Sequence, residues 1–146
     1  MNNLPKIAIG SDHAGFDQKE FIKDFLSQKG YEVTDYGTFT NDSVDYPDYA
    51  HQVANSVLNT QDTLGILLCG SGNGVCLTAN KHKGIRAALC WLPELGALAR
   101  QHNNANILCL PARYVDNKMA SDIAISYLTA SFEGGRHERR VEKIDL

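Results

Sequence analysis

The sequence predicts an α/β fold with a parallel sheet. Three observations predict it. Short apolar runs and segments of helical periodicity alternate five times along the 146 residues. The apolar runs are short and almost uninterrupted, as in strands buried on both faces. No internal repeat, low-complexity tract or linker divides the chain, so residues 1–146 read as one domain of a size that supports a proper core. Such alternation implies right-handed βαβ crossovers. The expected architecture is a three-layer α/β/α Rossmann-like sandwich with five strands in the order 2-1-3-4-5.

The elements follow in order. Lys6 to Ser11 is a strand that ends in Gly-Ser-Asp-His. A helix then runs to about Lys29, with Phe21, Ile22, Phe25 and Leu26 on its apolar face and Gly30 as its terminator. Tyr31 to Tyr36 is the second strand. The polar stretch from Gly37 to Pro47 is a loop, and Pro47 suits the first turn of a helix whose buried face is Ala50, Val53, Ala54, Val57 and Leu58. Leu64 to Cys69 is the third strand. The glycine-rich turn after it opens a helix that runs to about Lys81. Ile85 to Cys90 is the fourth strand, and Pro93 to His102 is a helix with Leu95, Leu98 and Ala99 inward. Ile107 to Leu110 is the fifth strand. Asp116 caps the last long helix, in which Met119, Ile123 and Tyr127 stand at helical spacing. A Gly134-Gly135 break leads into a short basic helix.

Composition narrows the function. With 43% hydrophobic and 21% charged residues, the chain reads as globular rather than disordered. No apolar run approaches the roughly 20 residues of a membrane span. The start, Met-Asn-Asn-Leu-Pro-Lys, does not resemble a signal peptide, so a cytoplasmic location is expected. A net charge of -3 argues against a nucleic-acid partner. The four cysteines, 69, 76, 90 and 109, include no Cys-x-x-Cys pair. Cys90 and Cys109 close apolar strands and read as buried small hydrophobes, and Cys76 as a packing residue. The histidines (13, 51, 82, 102, 137) show neither i, i+4 pairs nor cysteine partners. The sequence therefore predicts no metal and no cofactor.

Ligands of open parallel sheets bind beyond the carboxyl ends of the strands. Two polar turns lie there, Ser11-Asp12-His13 after the first strand and Cys69-Gly70-Ser71-Gly72-Asn73-Gly74 after the third. In the expected strand order they face each other. Alternating glycines let the second turn aim several N–H groups at one point, beside a helix N-terminus that favours negative charge. This reads as an anion hole with a thiol, Cys69, at its mouth. The spacing is not that of a dinucleotide loop, whose last glycine comes one residue later. A Walker loop would need Gly-Lys-Ser/Thr. A cysteine phosphatase would need an arginine where Val75 stands. Plainer readings stay open at this level: a tight turn without a ligand, Asp12 as a helix cap, His102 as a core or capping residue, and the arginine tail as a solvated end. Arg136 and Arg140, at i, i+4, share a helix face suited to one phosphate, and Arg113 follows the fifth strand at the ligand edge.

Taken together, Gly10-Ser11-Asp12-His13-Ala14-Gly15, Asp45-Tyr46-Pro47, Cys69 to Gly74, Ala79-Asn80-Lys81, Gly84-Ile85-Arg86-Ala87, Arg100-Gln101-His102-Asn103 and Gly134-Gly135-Arg136-His137 resemble the type B ribose-5-phosphate isomerases. That family also includes the galactose-6-phosphate isomerase subunits. The resemblance covers about Lys6 to Val141. It implies a metal-independent aldose–ketose isomerase of the pentose phosphate pathway, acting on ribose 5-phosphate and ribulose 5-phosphate through an enediolate. By the same resemblance Cys69 is the proton-transfer base and His102 assists ring opening. Ser71 keeps the hydroxyl of a catalytic position often held by threonine. Asp12, His13, Tyr46, Asn73 and Asn103 contact the sugar. Gly70, Gly72 and Gly74 belong to the enediolate hole, and Arg113, Arg136 and Arg140 hold the phosphate. One branch of the family has serine in place of Cys69 and a glutamate base in place of Val75. Here the cysteine mechanism is the consistent one, although Asn73 resembles that other branch.

Topology adds an expectation about assembly. His102 and Asn103 end a helix antiparallel to the strands, so they belong at the edge opposite Cys69. A catalytic role for them requires a second subunit, hence a homodimer or tetramer with active sites at the interface.

Overall fold

The computed structural model describes residues 3–146. β1 is Lys6–Ser11, followed by a single 3-10 turn, His13–Gly15, and α1, Phe16–Gln28. Then come β2 (Val33–Asp35), α2 (Tyr46–Asn59), β3 (Thr63–Cys69) and α3 (Asn73–Ala79). β4 (Ala87–Leu89), α4 (Pro93–Asn103), β5 (Ile107–Pro111), α5 (Asn117–Thr129) and α6 (Arg136–Glu142) complete the chain. Strands two and four are shorter than the sequence suggests. The caps hold: Gly30 ends α1 at φ 94°, and Asp116 accepts from Met119 N at 2.8 Å.

All strand pairs are parallel, and the order is β2-β1-β3-β5-β4. The expected order 2-1-3-4-5 is therefore corrected at its far end, where β5 lies inside and β4 at the edge. Burial explains this. Every residue of β5 is buried, whereas those of β4 are only partly so, and Arg86 directly precedes β4. A continuous apolar strand gains most between two neighbours.

Two cores lie on the two faces of the sheet. One joins Ile7, Ile9, Ile66, Leu68, Leu108 and Leu110 to α1, α4 and α5 through Ile22, Leu26, Ala99, Ile123 and Tyr127. The other joins Ala8, Leu67, Ile107 and Cys109 to α2 and α3 through Val53, Ala54, Val75 and Ala79. At the outer side of β4, Asn80 makes two hydrogen bonds with Ala87. Its Nδ2 donates to the Ala87 carbonyl at 2.9 Å, and its Oδ1 accepts from Ala87 N at 2.8 Å.

One polar knot ties α1 to the end of β2. Lys19, with no exposed surface, donates to Asp35 Oδ2 at 2.6 Å and to Glu20 at 2.8 Å, and Lys23 reaches Asp35 at 3.0 Å. Burial raises the Asp35 pKa. Hydrogen bonds from Lys19, Gly37 N and Lys23 more than reverse this and hold its carboxyl below the ordinary 3.8. A carboxyl depressed in the folded state stabilises fully above its unfolded value, and that stability is lost as pH falls through the folded one. Urea midpoints should thus drop as pH falls below about 5 and keep dropping below about pH 3, and drop less in Asp35→Asn. An identical pH slope in the two proteins would refute the assignment to Asp35.

Candidate active site

β1 and β3 are neighbours, paired through Ser11 and Leu68, so their terminal turns meet. Asp12 N extends the ladder by one bond, donating to Leu68 O at 3.2 Å. Gly15 lies against the same strand: a Cβ there would stand 2.8 Å from Leu68 Cβ and 2.9 Å from its carbonyl oxygen. Between the two turns opens a cavity of about 440 Å³, lined among others by Asp12, His13, Tyr46, Cys69, Gly70, Ser71, Asn73, Gly74 and Arg113. All nine were expected at the site from sequence.

Each side chain is held by its local structure. Asp12 caps the 3-10 turn, with Oδ1 accepting from Ala14 N at 3.0 Å and Gly15 N at 3.2 Å. Its Oδ2 makes no hydrogen bond among the described residues, in a residue only 7% exposed. His13 Nδ1 accepts from Val44 N at 3.1 Å, so in the neutral ring the proton sits on Nε2. His13 is thereby set to donate. Cys69 closes β3 and is almost wholly buried. Ser71 Oγ accepts from Asn73 N at 3.2 Å and so shapes the turn. Gly72 stands at φ 77°, where a Cβ would collide with Leu89. It bends the loop without lining the cavity. The N–H groups of Ser71, Gly72 and Gly74 have no partner among the described residues. Those of Ser71 and Gly74, which line the cavity, are the free donors an anion hole needs.

Tyr46 packs flat enough on Gly74 that a Cβ there would lie 2.6 Å from its ring. Arg113 depends on the corrected strand order. Because β5 adjoins β3, Ala112 N donates to Cys69 O at 2.9 Å and Arg113 N to Gly70 O at 3.0 Å. The guanidinium then lies over Gly70, 3.1 Å from where a Cβ would be. A larger hollow of about 920 Å³ opens elsewhere, beside Lys6, Asp62 and Thr63 where β1 and β3 start. It has no thiol or imidazole in its lining, so the smaller crevice is the chemical candidate.

The other cysteines are packed. Burial pushes the Cys90 thiol up to about 12 and the Cys109 thiol well above its usual range. Cys76 is half-buried with its thiol 3.4 Å from the Ala87 carbonyl, and a hydrogen bond from Cys109 lowers its pKa.

Four expected site residues stand apart: His102, Asn103, Arg136 and Arg140. α4 ends at Asn103, and β5 begins four residues later at the opposite sheet edge from Cys69. A strand length, roughly 15 Å, separates the two edges. His102 stacks on His137, with centroids 4.2 Å apart, and both rings lie 3.7 Å from Glu133. Partial desolvation and the nearby His102 ring and Arg136 guanidinium keep the His137 pKa below its ordinary value. Sequence reasoning did not find Leu77, Tyr114 or Glu133. Leu77 and Tyr114 flank the crevice as exposed apolar side chains. Their signal was adjacency to the glycine loop's helix and to Arg113. The signal for Glu133 was its i, i+4 spacing to His137 across the glycine pair.

The sequence model of the family described as Ribose/Galactose Isomerase matches residues 7–144. Ribose-5-phosphate isomerase B of Escherichia coli strain K12 is 45% identical over 141 residues, covering 97% of this chain and 95% of that protein. The crystal structure of a ribose 5-phosphate isomerase from Thermotoga maritima superposes with a TM-score of 0.95 at 53% identity, covering 99% of both chains. Ribose-5-phosphate isomerase B from Mycoplasma genitalium, solved with bound ribulose-5-phosphate, gives a TM-score of 0.91 at 48% identity over 95% of this chain and 93% of that one.

Proposed function

This chain belongs to the ribose/galactose isomerase family, and from that membership we propose that it interconverts ribose 5-phosphate and ribulose 5-phosphate. Relatives of that name, one of them holding ribulose-5-phosphate, support the substrate. One observation carries the mechanism: the Cys69 thiol sits beside a loop whose N–H groups at Ser71 and Gly74, both lining the cavity, are unpaired among the described residues.

The proton alpha to the carbonyl of an open-chain sugar is weakly acidic. Its removal needs a positioned base and preorganised donors for the oxygen that becomes negative. Cys69, as thiolate, takes the proton from C2 of the aldose and returns it to C1. The loop N–H groups stabilise the enediolate in between. Asp12 Oδ2 accepts from a sugar hydroxyl. His13 Nε2–H and Arg113 bind the far end of the substrate, and the phosphate serves as a handle that fixes the reacting carbons. His102 and Asn103, with Arg136 and Arg140, come from a second subunit. The functional unit is then a homodimer, or a tetramer of such dimers, acting in the cytoplasm. No helix among the described residues is long and apolar enough to cross a membrane.

The direct test is turnover of ribose 5-phosphate, allose 6-phosphate and galactose 6-phosphate by this chain alone. Ribose 5-phosphate should have the highest kcat/KM, and no inorganic phosphate should appear. A preference for either hexose phosphate would overturn the substrate assignment. Shared sites make a sharper prediction. Cys69→Ala and His102→Asn homodimers should each be inactive. Mixed and allowed to exchange subunits, they should recover about a quarter of wild-type specific activity, because half of the dimers then carry one intact site. No recovery despite proven exchange would place His102 and Cys69 in the same subunit's site.

A further inference from the structure

Away from the crevice, two imidazoles and a carboxylate converge from two separate stretches of chain, the end of α4 and the segment that leads into α6. We propose that His102, Glu133 and His137 form a binding site for a divalent transition-metal ion of the zinc class, and that an ion held there takes His102 out of the isomerisation. The first half rests on geometry alone, and the second also rests on the catalytic role of His102 proposed above.

The Nε2 atoms of His102 and His137 each lie 3.7 Å from Glu133 Oε1, and the ligand atoms of all three residues fall within 4.8 Å of one another. A tetrahedral zinc bound at about 2.0–2.1 Å spaces its ligand atoms roughly 3.4 Å apart. The cluster reaches that by contracting about 0.3 Å on each His–Glu side and by about 1.4 Å at most on its widest side. The two rings are stacked nearly parallel, at 11°, so a modest tilt of one turns both lone pairs onto a common point. Two imidazoles with one carboxylate select zinc, cobalt, nickel or copper over magnesium or calcium, which prefer oxygen donors.

The backbone fixes the ligands before an ion arrives. Glu133 N donates to Gln101 O at 3.0 Å, which ties the loop to the last turn of α4 beside His102. His137 N donates to Gly134 O at 3.0 Å and sets the first turn of α6. The side chains of His102 and Glu133 are 38% and 53% exposed, so water has access as the fourth ligand. Arg136 and Arg140, on the same short helix, oppose a cation and should keep the affinity moderate. The expectation of no metal came from spacing along the chain. Spacing could not reveal a site whose first ligand lies some thirty residues before the others.

A ring-opening imidazole needs its ring to turn freely toward the sugar and exchange a proton, and an ion held at Nε2, the atom facing Glu133, would fix that ring in place. The test starts from chelator-stripped full-length protein titrated with Zn²⁺ by calorimetry and with Co²⁺ by visible absorption. One ion per chain should bind, with a d–d spectrum of a nitrogen- and oxygen-ligated site. Glu133→Gln and His137→Asn should each weaken binding about tenfold or more. Uptake that is unchanged in both variants, a thiolate-to-cobalt charge-transfer band, or no uptake would overturn the site. Isomerase rates are read in parallel, each protein against its own metal-free rate. Loss of activity should track occupancy in the wild type and require about tenfold more Zn²⁺ in His137→Asn. Occupancy at the cluster without loss of activity would leave the site standing and overturn the coupling to His102.

Discussion

Cys69→Ala is expected to lower kcat by about three orders of magnitude or more while sugar-phosphate affinity changes by less than about threefold. The proposed mechanism gives the thiol, which lines the crevice, the transfer of the carbon-bound proton. In the mechanism proposed above, the groups that grip the substrate are other residues lining the crevice: Asp12, His13, the loop N–H groups and Arg113. Its removal also costs little in folding, since Cys69 packs at the end of a strand whose register is fixed by six residue pairs to β1 and five to β5. Serine should not substitute, because its hydroxyl keeps its proton at neutral pH. The decisive readout is exchange of the substrate's C2 proton with D₂O, monitored by NMR. It should be absent in both variants, although both bind ribose 5-phosphate. Exchange at wild-type rates would assign the base to another residue. Loss of binding as large as the loss of turnover would make Cys69 a structural part of the pocket.

Lys19→Met is expected to destabilise the fold by about 3 kcal/mol, the lower end for breaking a buried ion pair, because Lys23 still reaches Asp35. Lys19 is fully buried, and its ammonium lies between Asp35 and Glu20 with the rings of Phe16 and Phe39 each 5.3 Å away. Methionine keeps much of the packing and leaves the Asp35 carboxylate short of its main partner. Against a typical total of about 5–15 kcal/mol this is a large fraction, and Tm should fall by about 10 °C. Adding Asp35→Asn should recover part of the loss, since the uncompensated charge goes with it. A single variant as stable as the wild type, or a double variant that falls by the sum of both changes, would refute the account.

The legible parts of the fold were those written in local periodicity. Ile22 and Leu26 on α1, Ala50 and Val53 on α2, and Ile123 and Tyr127 on α5 all face the cores that their spacing suggested. The far end of the sheet was misread because alternation fixes that β4 and β5 join the sheet, not which of them lies beside β3. A finer signal was present. Ile107 to Pro111 is apolar throughout, as an inner strand demands, while Arg86 and two alanines mark β4 as a flank. The crevice was legible because its parts end two adjacent strands, so short motifs carried it. Lys19 escaped notice because nothing in a helix sequence announces that a lysine points inward. The cluster of His102, Glu133 and His137 was invisible for a related reason, as only folding brings α4 against the loop before α6.

The Asn80 amide has a consequence outside catalysis. A flanking strand presents unpaired N–H and C=O groups to any other chain, and an extended segment added there starts aggregation. Both flanks of this sheet are three-residue strands. On the β4 side, the Asn80 side chain occupies the Ala87 N–H and carbonyl as a neighbouring backbone would. A side chain thus stands in for the sixth strand and closes the sheet against intermolecular growth at its more apolar margin.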